Sequence, residues 1–353
     1  MRKIFIYFML LAVAFTACEK DPVSKPDKSL SGVFILNQGN EKANNAGLWV
    51  YSPESGETSV VISSIADNQL GALAQDMLIY GDKLYIAITG SSVIRVLDVA
   101  TKQDVKTIPV FNGGIPCQPR YLAAYDGKIY VTCYNDEEGI VARIDTATLV
   151  WEKQTRVGVR PEGIAVNNGK LYVANSGPLY VYDNTVSVVD IATFSELRKI
   201  TVGTNPNIVR ADGNYIYLSY QGDWSGTPGG FQRIDVRNES IVTVSDSPTA
   251  DFAIFNGSIY YYNVTYNADW TTKVSFGKMQ VAANGSKTVS PLITGNISII
   301  APYGIAVHPE TGDIYISDAG DYVNPGSVFI FDSQGKKINE FTVGIVPCKF
   351  VFY

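Results

Sequence analysis

Histidine is almost missing from this chain: 353 residues hold one, His308, beside four cysteines and four methionines. A Ser-His-Asp triad needs an imidazole beside its nucleophile, and a His-rich metal centre needs several, so neither chemistry is expected. Positive charge is also scarce. Lys and Arg number 28 against 34 Asp and Glu, for a net charge of −6. They are scattered rather than clustered, which argues against a nucleic-acid partner, whose binding needs a dense positive surface. No stretch shows helical periodicity, and no Gly-rich phosphate loop stands between a strand and a helix. The longest apolar run, residues 4–15, falls short of the ~20 residues that cross a bilayer.

What the chain has in quantity is Tyr, Val, Ile and turn residues, and they recur. A Pro followed eleven residues later by a Gly-Lys-Ile-Tyr-Val-like strand appears as Pro119 to Tyr130, Pro161 to Tyr172 and Pro206 to Tyr217, with a longer turn in Pro302 to Tyr315. A period of about 45 residues marks a repeat architecture. Each block alternates as a small antiparallel sheet, so the fold expected is all-β, a β-propeller of four-stranded blades. Aligning the aromatic of the second strand gives Phe34, Tyr85, Tyr130, Tyr172, Tyr217, Tyr260 and Tyr315, and therefore seven blades. These rings are expected to pack between blades.

The segment from Pro347 to Tyr353 reads as a first strand without a second, and the strand from Gly32 to Leu36 as a second without a first. The two ends are thus expected to share one blade, the C-terminus supplying its innermost strand. Asp98, Asp145, Asp190, Asp235 and Asp332 close the third strands and suit tight turns, since a carboxylate accepts turn N–H groups. The sixth block departs from the pattern, with Thr249 in the Pro place and Gln280 in the Asp place.

Residues 1–17 read as a signal peptide: Met1-Arg2-Lys3, the apolar run, then Thr16-Ala17 before Cys18. Cys18 sits where a lipobox places its lipidated cysteine, which would anchor the chain to the outer membrane. Residues 18–30 are then a polar tether with Pro22 and Pro26, and twelve such residues span roughly 20 Å on average. Residues 31–353 form one domain. Cys117 and Cys133 fall at one end of the third blade, and a disulfide between them is an open alternative in an oxidising compartment. Cys348 is left over as a small core or channel residue.

The long connections fall on one face of such a propeller, around 37–47, 134–139, 175–185, 221–230, 263–273 and 318–327, and function is expected there. They carry Tyr134, Tyr180, Tyr182, Trp224, Tyr266, Trp270 and Tyr322, rings suited to flat or sugar-like ligands or to packing on their own loops. The residue after each Pro, or in the equivalent place, should ring the channel mouth: Gln75, Arg120, Glu162, Asn207, Ala250, Tyr303 and Cys348. Arg120, Glu162 and Asn207 lie on consecutive blades. They would either meet a small polar ligand or form a structural ion pair. His308 falls in the turn joining the first two strands of the seventh blade, on the far face.

Residues 31–353 resemble the YncE-like seven-bladed propellers, through Val159-Arg160-Pro161-Glu162-Gly163-Ile164-Ala165-Val166 and the following Gly169-Lys170-Leu171-Tyr172-Val173-Ala174-Asn175-Ser176. With the Cys18 start, followed by Glu19, Lys20 and Asp21, and the Val33 to Gly39 opening, the chain resembles surface lipoproteins of gut Bacteroidetes that capture vitamin B12 and related corrinoids. That resemblance implies no cofactor, a corrinoid as the carried ligand, and a TonB-dependent outer-membrane transporter as partner. Two other readings stay open: a lactonase-like hydrolase with Glu162 as base and Arg120 holding an anionic ring, and a scaffold that recognises glycans or another surface protein.

Overall fold

The computed structural model describes residues 30–353 except 63–68, 136–137, 224 and 268–270. The signal segment, Cys18 and most of the tether lie outside the described residues, as do Trp224 and Trp270. Seven sheets of four antiparallel strands stand in a ring, and no helix occurs among the described residues. The chain is a seven-bladed β-propeller.

Blade 1 is built from both ends. Its innermost strand is Pro347–Phe352, followed outward by Val33–Asn37, Gly47–Ser52 and Glu57–Ile62. The junction pairs Val33 with Phe352 and Asn37 with Pro347. It is packed by the Phe34 and Tyr353 rings, 4.4 Å between centroids. Blades 2 to 7 follow in chain order, with innermost strands Ala74–Tyr80, Gln118–Tyr125, Pro161–Asn167, Pro206–Asp212, Thr249–Phe255 and Pro302–Val307. No sheet edge is left open between the chain ends.

The core lies between blades. The seven second-strand aromatics are all buried, from Phe34 and Tyr85 at 0 % exposed to Tyr217 at 6 %. Their period of two places them on one face of each blade, against apolar residues of the next. Tyr172, for example, joins Val188, Ile200, Val209 and Ile216 across blades 4 and 5. Third-strand aspartates cap their turns: Asp145 accepts from Ala147 N and Thr148 N at 3.1 and 2.7 Å, and Asp190 from Thr193 N at 2.8 Å. In blade 6, where Gln280 replaces the Asp, Asn284 does this work from within the turn, accepting from Ser286 N at 3.0 Å.

Three local expectations need correction. Residues 134–139 and 263–273 are largely strand rather than loop, because Lys128–Asn135 and Glu138–Asp145 form a long hairpin and Ser258–Tyr266 runs on almost to Thr272–Val281. The link between blades 2 and 3 carries an unforeseen hairpin, Phe111–Asn112 with Ile115–Pro116, turned by Gly113 and Gly114 at positive φ. Cys117 and Cys133 are thiols rather than a disulfide. Both are buried in the core shared by blades 2 and 3, and Cys117 Sγ lies 3.4 Å from Asn135 Oδ1.

Candidate functional site

Every innermost strand begins with an irregularity. The ladder to the second strand skips after its first pair, or after its second in blade 3, between Pro119 and Leu122, Pro161 and Ile164, Pro206 and Val209, Thr249 and Asp251, Pro302 and Gly304, Ala74 and Asp76, and around Cys348. A bulge of this kind adds a residue and re-aims its side chain. The added residue is the one that the sequence places after the Pro. Six of the seven, Gln75, Arg120, Asn207, Ala250, Tyr303 and Cys348, therefore line one cavity of about 440 Å³ at the channel mouth.

Glu162, the seventh, stays beneath. It is 6 % exposed and accepts from Arg120 Nε and Nη2 at 3.1 and 3.0 Å, and from the Tyr134 hydroxyl. The Arg120 guanidinium also lies over the Tyr134 ring, 4.9 Å from its centroid. Burial alone would lower the Arg120 pKa, but the Glu162 charge outweighs it and holds the guanidinium above its ordinary value. Burial, aided by Glu162, raises the Tyr134 phenol as well. The pair is bidentate and lies across the seam between blades 3 and 4.

Two further pairs repeat the arrangement in positions that the sequence reading missed. Lys349 Nζ of blade 1 meets Asp76 Oδ1 of blade 2 at 2.6 Å. Arg210 Nη2 of blade 5 meets Asp251 Oδ1 of blade 6 at 2.8 Å. The basic member lies on the earlier blade each time, so blades are tied 1 to 2, 3 to 4 and 5 to 6. Their signal in sequence is a charge in the middle of a first strand, among mostly apolar neighbours.

Neutral groups complete the mouth. Tyr303 donates its hydroxyl to Gln38 Oε1 at 3.0 Å, Gln38 Nε2 to Gln75 Oε1 at 3.2 Å, and Gln75 Nε2 to the Tyr121 hydroxyl at 3.2 Å. This chain spans blades 7, 1, 2 and 3. Tyr322 packs edge-on against Tyr303 at 5.8 Å between centroids. On the other side of the ring, Asn207 Oδ1 is buried without a hydrogen-bond partner among the described residues, and Ala250 leaves space beside it. Burial raises the Tyr303 phenol to about 12, so it stays protonated and able to donate.

Of the sequence-predicted site residues, the structure thus brings Arg120, Tyr134, Glu162, Asn207, Tyr303 and Tyr322 to the mouth or just beneath it. Tyr180 stands apart, 83 % exposed on its loop with Leu179 and Val181, and is absent from the cavity wall. Trp224, Trp270 and the side chain of Tyr266 lie outside the described residues. His308 is the turn residue expected: its Nδ1 accepts from Glu310 N and Thr311 N at 3.2 Å, and its ring meets Phe352. Among the described residues, no three His, Cys, Asp or Glu side chains converge as metal ligands would.

Fold and mouth together define a seven-bladed propeller with a charge-balanced, polar axial pocket. Residues 31–353 match the domain of unknown function DUF5074, and the chain belongs to that family. Comparison with curated proteins finds no match. Among solved structures, the chain is similar to a Bacteroides uniformis protein named provisionally as a 6-phosphogluconolactonase, with 12 % identity over 92 % of this chain and 100 % of the other and a TM-score of 0.65. A Bacteroides fragilis protein of the same provisional name shows 13 % identity over 94 % and 100 %, at 0.63. Hydrazine synthase of Kuenenia stuttgartiensis shows 20 % identity over 72 % and 74 %, at 0.59. At these identities the likeness establishes the fold alone.

Proposed function

We propose that this protein is a lipid-anchored surface module that captures a bulky, neutral, amide-bearing nutrient at the channel mouth and passes it to a TonB-dependent outer-membrane transporter. A corrinoid is the first candidate. The observation that carries the reading is the charge balance of the mouth. Its cations meet acids across blade seams, so what remains for a ligand is amides and phenols, with Asn207 Oδ1 as an acceptor in want of a donor. A ligand edged with primary amides supplies such donors. A corrinoid exceeds a 440 Å³ cavity, so one edge would enter it while the body lay across the rim. Exposed Ile300, Leu179, Val181 and Val323 on loops of that face supply apolar surface for a partner.

Hydrolysis is the second reading, and the provisional lactonase names of the structural neighbours favour it. It would need Glu162 as a base, yet that carboxylate already accepts from Arg120 and Tyr134. Turnover of a lactone by the purified domain, lost in Glu162→Gln, would bring this reading forward.

The test is calorimetric titration of residues 31–353 with cyanocobalamin and with cobinamide. One-to-one binding is expected, weakened at least about tenfold in Asn207→Ala, the scale of one lost hydrogen bond to a buried partner. Absence of binding to both would overturn the corrinoid assignment and put glycan or protein recognition first.

A further inference from the structure

Blade 6 breaks the wall of the polar mouth. Its post-Pro place holds Ala250, the smallest side chain of the seven, and behind it the cavity reaches Tyr262 and Val264 of the second strand. Elsewhere in the ring the wall takes no residue from within a second strand. Ala250, Tyr262 and Val264 all pack on the core between blades 6 and 7, so the recess enters a seam that none of the three ion pairs ties.

Two side chains here have hydrogen-bonding capacity to spare. Tyr262 is 3 % exposed, and its hydroxyl makes no hydrogen bond among the described residues. Asn207, on the neighbouring blade, uses neither atom of its amide among those residues, and its Oδ1 is buried. Burial and the nearby Asp251 charge raise the Tyr262 phenol, so it stays protonated and keeps a proton to give. A buried donor and a buried acceptor left unpaired cost stability that a bound group would restore. Arg210 and Asp251, the charges on this side of the mouth, are paired with each other, so the recess offers no net charge.

We propose that the recess is a socket for one primary carboxamide arm of the captured ligand. The arm's carbonyl accepts from the Tyr262 hydroxyl, its NH2 donates to Asn207 Oδ1, and its methylenes rest on the half-buried Ala250 and Val264. A carboxylate has no N–H for Asn207 and would stand beside Asp251, and an alcohol must serve both partners from a single oxygen. The proposal rests on the capture reading for the larger ligand, whereas the socket itself answers to a small amide.

Butanamide, butanoate and butan-1-ol serve as probes of residues 31–353 labelled in alanine methyl groups, the Ala250 resonance being the one lost in Ala250→Gly. Butanamide is expected to shift that resonance saturably at millimolar concentration, and the other two to bind at least about tenfold more weakly. Tyr262→Phe is expected to weaken butanamide about tenfold, the scale of one hydrogen bond to a buried partner, at a melting temperature no lower than the parent's. Ala250→Leu fills the socket and is expected to weaken cyanocobalamin about tenfold or more in calorimetry. Absence of a saturable shift, an equal response to butan-1-ol, an unaffected Tyr262→Phe, or parent-like cyanocobalamin binding by Ala250→Leu would overturn the socket. A butanamide response without cyanocobalamin binding would uphold the socket and fail the corrinoid assignment instead. If Ala250→Leu does not fold, the Tyr262→Phe comparison decides.

Discussion

At the scale of single residues, the structure makes most demands where charge is buried. Glu162 is 8 % exposed at its side chain and Arg120 18 %. Removing one partner strands the other, which costs about 3–5 kcal/mol for a buried pair. Arg120→Ala is therefore expected to lower the unfolding free energy by about 3 kcal/mol in urea titration, whereas Arg120→Gln with Glu162→Gln should recover much of the loss. Equal stability of Arg120→Ala and parent would show that the pair does not hold the seam. His308 makes a second demand. Burial holds its imidazole below 6.5, against the opposing charges of Glu310 and Asp313. As pH falls through 6.5 the unfolded chain takes up its proton first, so folded-state stability declines from there until the folded imidazole also titrates. His308→Asn, which keeps an acceptor for the turn, is expected to flatten the melting temperature between pH 6.5 and 5. A slope unchanged in the variant would assign that dependence to other groups.

Elements are where sequence and structure part company. The aromatic of each second strand and the residue after each Pro were legible because their roles follow from period and from the N–H that proline lacks. The bulges that give those residues their aim were not, since a bulge is a pairing event between two strands and leaves no composition signal of its own. Nor was the left-handed backbone just before four of the innermost strands, at Leu73, Arg160, Asn205 and Val346, with φ of 54°, 49°, 61° and 54°. Glycine would have announced such turns; leucine, arginine and valine do not. Each of these four residues accepts a backbone hydrogen bond from the neighbouring 2–3 loop, at Thr89, Ser176, Gln221 and Gln38. The Arg210–Asp251 and Lys349–Asp76 pairs were missed for a related reason, as neither partner lies at the post-Pro position. Gly163 tests how closely innermost strands approach. A Cβ there would meet Asn207 O at 2.5 Å and Val209 N at 2.6 Å, both backbone. Gly163→Ala is expected to cost about 1–3 kcal/mol, the range for overpacking, and to distort the Asn207 side of the mouth. Wild-type stability and wild-type ligand affinity together would show that blades 4 and 5 yield more easily than this contact implies.

For the whole molecule, closure is the central energetic question. The strand Pro347–Phe352 gives blade 1 its innermost ladder, places Phe350 in the core, and sets Phe352 5.2 Å from the Tyr315 ring of blade 7. Ending the chain at Val346 would open an edge on Val33–Asn37 and remove Lys349 from Asp76, which is 3 % exposed. Such a truncation is expected to abolish the single cooperative unfolding transition and to promote association through the bared edge, seen by calorimetry and gel filtration. A truncated chain that melts as the parent does would mean that the ring holds without its clasp. The sequence announced this closure through two half-blades at its ends. It offered Arg120 with Glu162 as an ion pair among its alternatives, but not the two pairs that complete the tying of six blades two by two, because Arg210 and Asp251 are 41 residues apart and Lys349 and Asp76 lie on strands far apart in the chain.

The ladder that pairs Val33 with Phe352 has a practical corollary. Both chain ends leave the ring on one side: Gly32 N donates to Tyr353 O, and Leu30 N lies 3.3 Å from Glu310 Oε2 in the turn beside His308. The polar mouth opens on the other side. A tag or a sensor surface joined to either terminus would therefore grip the propeller by its underside and leave the polar mouth facing the bulk solution. Immobilisation and free-solution measurements should then agree for ligands of the mouth.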